Sequence, residues 1–195
     1  MSRVHRPVAI LWLPGAPPMH WHQLHSLTQS ALALAPNTLP PIGQHAVSLT
    51  GDDRFLLFDD GKHSSFQIPP GANRTYSAPR KYQINLQPMV ATEEWNYPYG
   101  QILYSPFCSS VYEDLPLNYL IDYAIISNLG SNRYMELLGL DASGDKVFDY
   151  RYLTNRCDEA WNSLPIHLDH SHFPTHHPSN SVPRNTDAHS RPFPF

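Results

Sequence analysis

An α+β fold is predicted from three observations. Apolar residues recur at helical spacing in two stretches. Short runs of β-branched and aromatic residues, punctuated by turn residues, fill most of the interval between and after them. The chain of 195 residues is 41% apolar and only 15% charged, which suits a domain that buries a real core without disulfide staples. The expectation is a single domain with a mostly antiparallel, curved sheet carrying two or three helices. The alternative is an all-β sandwich or barrel in which 117–129 is a strand.

The elements follow in order. Val8 to Leu13 (VAILWL) reads as a buried strand ended by Pro14-Gly15. Trp21, Leu24, Leu27, Ala31 and Leu34 share one helical face, so a helix is predicted over 19–34, entered at Pro17-Pro18 and closed by Pro36. Residues 37–43 are a linker by composition. His45 to Leu49, Arg54 to Phe58 and Ser64 to Ile68 are candidate strands, the last two joined by a tight turn at Asp59-Asp60-Gly61-Lys62. Lys81 to Gln87 alternates as a half-buried strand does, and Gln101 to Tyr104 is a further short candidate. Asp114 is placed to cap a second helix, with Leu117, Leu120, Ile121, Ala124 and Ile125 on one face. Tyr134 to Leu140 and Val147 to Tyr152 form the most legible hairpin, across 141–146. Asn155 opens a short third helix before Pro165.

Charge divides the chain more sharply than hydropathy. Residues 1–51 contain no Asp or Glu, five His and seven Pro. Residues 52–165 hold 15 acids, nine Lys and Arg and one His, a formal charge of −6. Residues 166–195 hold six His but only two acids and two Arg. The predicted organisation is therefore an N-terminal strand, helix and Pro-rich linker over 1–43, an acidic β-rich core over 44–166, and a His/Pro-rich disordered tail over 167–195. An acidic core with no Lys/Arg run excludes phosphate backbones as its partner, and no apolar run is long enough to span a bilayer.

No complete catalytic motif is present: no Gly-x-Ser-x-Gly elbow, no Gly-rich phosphate loop and no HExxH, so no catalytic residue is assigned. Histidines are the one chelating feature. His22 and His25 neighbour each other on a helix. In the run His167, Asp169, His170 and His172, an extended chain puts His170 and His172 on one face, a spacing suited to zinc or another divalent metal. No other cofactor is indicated. The acids cluster in doublets (52–53, 59–60, 93–94, 113–114 and 158–159), read as turn and helix-start residues. Cys108 and Cys157 are read as reduced thiols, with a cytoplasmic location.

The favoured function is a small protein-interaction protein, of inhibitor, immunity or adaptor type. Its acidic, Tyr-rich surface would present Tyr97, Tyr99, Tyr112, Glu93 and Glu94 to another protein, a basic one by charge complementarity. The alternatives are a metal-dependent hydrolase built from the flank histidines and a core carboxylate, and a structural component of a larger assembly.

Overall fold

Strands, not helices, occupy the residues that a computed structural model of the chain describes, namely 32–63, 73–156 and 163. In order these are β1 (Ala33–Leu34), β2 (Gln44–Leu49), β3 (Phe55–Asp59), β4 (Ala78–Asn85), β5 (Val90–Asn96), β6 (Ser110–Glu113), β7 (Tyr119–Ile126), β8 (Tyr134–Leu140) and β9 (Lys146–Leu153). They form two sheets, β1-β5-β4-β3-β2 and β6-β7-β8-β9. Every neighbouring pair is antiparallel except β1, which runs parallel to β5. Compactness divides the chain into Met1–Pro165 and Ile166–Phe195, and all the described residues belong to the first unit.

The sheets meet face to face. Leu56 and Phe58 of β3 pack with Val111 of β6, Tyr119, Ile121, Tyr123 and Ile126 of β7, and Leu138 and Leu140 of β8, all buried. Phe58 meets Tyr123 edge to face at 5.1 Å between ring centroids, and Trp95 stacks on Tyr119 at 4.0 Å. Such ring pairs add about 0.5–1.5 kcal/mol each beyond area burial.

The α+β expectation is corrected by this architecture. The second helix is strand β7, whose eight residues (YLIDYAII) are buried at all but one position. A run apolar on both faces has no diagnostic period, and its Tyr and Ile content favours an extended chain. Asp114 caps no helix there. It closes the β6–β7 turn by donating its backbone N–H to Asn118 O at 3.0 Å. The end of the first predicted helix is β1, held by Ala33 N–H to Met89 O at 2.8 Å and Ala35 N–H to Ala91 O at 2.9 Å. The rest of that helix, Val8 to Leu13, Ser64 to Ile68 and most of the third helix lie outside the described residues. Gln101 to Tyr104 forms no strand, and a 3-10 turn spans Tyr99–Gln101. Residues 59–62 do not reverse the chain. Asp60 N–H and Gly61 N–H continue the pairing to Gly43 O and Ile42 O at 3.3 and 3.0 Å. The hairpin read across 141–146 is β8–β9.

Candidate active site

The end of β3 carries the Asp59-Asp60 doublet, and the start of β2 beside it carries His45. The β2–β3 register shifts between His45 and Ser48, and Ala46 sits at φ +47°. This bulge re-aims the side chains at the strand start, a device common beside active sites. His45 Nε2 lies 3.5 Å from Asp60 Oδ2. The imidazole is 39% exposed, whereas the Asp60 side chain is 3% exposed.

Close backbone approach builds the rest. Gly43 adopts φ +68°, and a Cβ there would meet Lys62 O at 2.9 Å. Gly61 adopts φ +71°, and a Cβ there would sit 2.5 Å from Tyr76 O. Only glycine fits this left-handed backbone against neighbouring carbonyls without strain.

The two acids of the doublet have separate roles, because neighbours on a strand point opposite ways. Asp59 is fully buried and saturated. Its Oδ2 receives Arg80 Nε at 2.6 Å and Arg74 Nη1, and its Oδ1 accepts N–H donors from Ile42 at 2.8 Å and Gly61 at 3.1 Å. Arg80 Nη1 continues to Glu93 Oε1 at 2.7 Å, and Asn96 Nδ2 reaches the same oxygen at 2.6 Å. Burial opposes the Arg80 charge, but Asp59 and Glu93 outweigh it and hold the guanidinium above its ordinary pKa.

Asp60 differs. Its Oδ1 has no hydrogen-bond partner. Burial, and then the Asp59 charge, push its pKa up to about 9, with Lys62 pulling the other way. Burial lowers the His45 pKa. The pair therefore holds an uncharged imidazole against a protonated carboxyl at neutral pH.

Serines tie this site to the second sheet. Ser77 Oγ donates to Asp60 O at 2.7 Å, and Ser105 N–H donates to Ser77 Oγ at 2.9 Å. Ser109 Oγ donates to Ser105 Oγ at 2.8 Å, and Ile125 N–H of β7 donates to Ser105 Oγ at 2.9 Å.

The residues singled out in the sequence fall elsewhere. The Glu93 carboxylate is turned onto Arg80, with 7% of its side chain exposed, and so joins the frame beneath the site. Glu94 pairs with Arg54 Nε at 2.6 Å on the surface. Tyr97 and Tyr99 are partly buried against the core, and the Tyr99 hydroxyl accepts from Lys146 Nζ at 3.0 Å. Tyr112 is half-buried on β6. His22, His25, His167, Asp169, His170 and His172 lie outside the described residues. No grouping of three or more His, Cys, Asp or Glu among the described residues suits a metal ion. Cys108 is disulfide-bonded, contrary to the reduced thiol expected, and Cys157 is the chain's other cysteine.

His45 and Asp60 were not singled out. The available signal was a four-residue apolar strand, Phe55 to Phe58, running straight into two acids and a glycine. A turn in that place puts its acids in water, whereas the end of a core strand puts them in the protein.

The family model described as arylsulfotransferase (ASST) matches residues 5–161. None of the curated proteins matches the chain. The family match overturns the interaction-protein expectation, with its inhibitor, immunity and adaptor variants, and both alternatives to it. It points to an enzyme of group transfer.

Proposed function

Because the chain belongs to the arylsulfotransferase family, we propose that it moves a sulfuryl group between aryl oxygens, with His45 as the nucleophile and Asp60 as the carboxyl that orients it. The observation that carries this reading is the 3.5 Å approach of His45 Nε2 to the buried Asp60 Oδ2. Nε2 is the ring nitrogen beside Asp60, and a proton carried there leaves the Nδ1 lone pair free, which is the arrangement an imidazole nucleophile requires.

The chemistry balances with these two groups. Nδ1 attacks sulfur, the N–S bond forms and the S–O(aryl) bond breaks, releasing an aryl oxide. The ring gains a positive charge as this happens. Asp60 gives up its proton and becomes the counter-ion of that ring, and the aryl oxide takes up one proton. In the second half the acceptor's aryl oxygen attacks sulfur, the N–S bond breaks, and Asp60 recovers a proton as the acceptor hydroxyl loses one. The buried Asp59–Arg80–Glu93 frame holds the strand ends in place while the charge moves.

The test is incubation with p-nitrophenyl sulfate, rapid quenching at alkaline pH and mass spectrometry of the peptide containing His45. A sulfuryl group on His45, absent from His45→Gln, is expected. Transfer that proceeds in His45→Gln at the wild-type rate overturns the reading.

Among the described residues no helix is long and apolar enough to cross a membrane. The disulfide at Cys108 supports an oxidising compartment as the working location in place of the cytoplasm.

A further inference from the structure

We propose that Phe107 and Lys62 form the donor subsite of this centre, the exposed Phe107 ring receiving the aryl ring of an aryl sulfate and the Lys62 ammonium its sulfonate oxygens. This rests on the reading of His45 as the sulfuryl-accepting residue.

Position comes first. Lys62 is two residues beyond Asp60, and its carbonyl oxygen would lie 2.9 Å from a Cβ placed on Gly43, two residues before His45. Its Nζ sits 3.5 Å from the centroid of the Phe107 ring. The Lys62 charge acts on the Asp60 carboxyl, and Ser77 Oγ bridges Asp60 O to Ser105 O at the base of the loop that carries Phe107.

Charge comes second. Arg54, Arg74, Arg80, Lys81, Lys146 and Arg151 each have a carboxylate in ion-pair contact. Among the described residues Lys62 has none, and an aromatic face is its close neighbour. An ammonium held over a ring keeps its full charge for an arriving anion. A sulfonate beside a ring matches that pairing in both parts.

Rigidity comes third. Phe107 is 44% exposed, yet the loop around it is fixed. Leu103, Ser105 and Ser109 are buried, and Ser105 and Ser109 are joined by their hydroxyls. Cys108, next to Phe107, adopts φ +65° and is disulfide-bonded. A large apolar ring held out to solvent by a pinned loop is a platform, not a stray core residue.

The experiment is steady-state kinetics of Phe107→Ala, Phe107→Tyr and Lys62→Met with p-nitrophenyl sulfate, together with calorimetric binding of naphthalene-2-sulfonate, which cannot be turned over. Phe107→Ala and Lys62→Met are expected to raise KM and to weaken sulfonate binding by about 5- to 10-fold each, with kcat within about twofold. Phe107→Tyr keeps the ring and is expected to retain wild-type KM. An active wild type whose KM and sulfonate affinity are unchanged in both Phe107→Ala and Lys62→Met overturns the subsite and leaves the His45 reading standing. A wild type that performs no transfer overturns that reading, and the subsite with it.

Discussion

Asp59 and Arg80 face each other across neighbouring strands, Oδ2 to Nε at 2.6 Å, with both side chains buried. Asp59 also holds Arg74, and Arg80 also holds Glu93, so two carboxylates and two guanidiniums carry the frame under the active site. Removing one partner leaves uncompensated buried charge. Asp59→Asn is expected to destabilise the fold by about 3–5 kcal/mol, read as a lower urea midpoint at unchanged slope. An exposed pair makes the control: Glu94→Gln, which frees Arg54, should cost under about 1 kcal/mol.

Asp60 is expected to matter for rate more than for folding. Asp60→Asn keeps the size of the side chain but cannot become the counter-ion of the charged ring. A fall in kcat of about 10²–10⁴-fold is expected, with KM for the aryl sulfate little changed and the sulfuryl-His45 form accumulating less. A loss confined to KM would assign Asp60 to substrate binding instead.

The pH profile follows from the two shifts. His45 must be uncharged to attack, and burial holds its pKa below the ordinary 6.5, so kcat/KM should fall with acid only below that pH. Asp60 must carry its proton, which it keeps up to about 9, so the alkaline limb should lie near 9. Stability has its own sign. The unfolded chain releases the Asp60 proton near 3.8 and the fold near 9, so the fold holds more protons between these values. That contribution is complete below 3.8 and is lost as pH rises toward 9. Asp60→Asn should flatten the decline of the urea midpoint above neutrality. A slope ending near pH 7 should remain, from buried Asp122, whose pKa burial raises to about 7 against the Ser163 hydroxyl bond.

Much of the sheet was legible before the structure, and the reason is local. β2, β3, β4 and the β8–β9 hairpin announce themselves by short apolar runs between turn residues, and Asp141 Oδ1 pins the last turn by accepting from Ser143 and Asp145 N–H at 2.9 and 3.0 Å. β7 was misread because Leu117, Ile121 and Ala124 satisfy helical spacing while Tyr119, Tyr123 and Ile126 fill the remaining faces. Only pairing with β6 and β8 resolves that ambiguity, and pairing is not local. The site escaped for the same reason. Gly43 and Gly61 look like ordinary turn glycines, and the close approach each one allows involves residues 13 or more positions away. The histidine surplus of the flanks drew attention from His45, whose value lies in a bulge and a buried neighbour.

Gly61 offers the last test, because it separates backbone geometry from side-chain chemistry. It sits directly after Asp60 at φ +71°, donates its N–H to Asp59 Oδ1 at 3.1 Å, and leaves no room for a Cβ beside Tyr76 O. Gly61→Ala must therefore move the backbone on which both acids stand, and about 1–3 kcal/mol of strain is expected as a lower urea midpoint. Gly144 is the fitting comparison, with φ +83° but open space around it. Gly144→Ala carries the same conformational penalty and no clash, in the turn between β8 and β9. Both variants should be less stable than wild type, but only Gly61→Ala should lose sulfuryl transfer at temperatures where both remain folded. Equal activity in the two would show that the position of Asp60 relative to His45 does not limit the reaction.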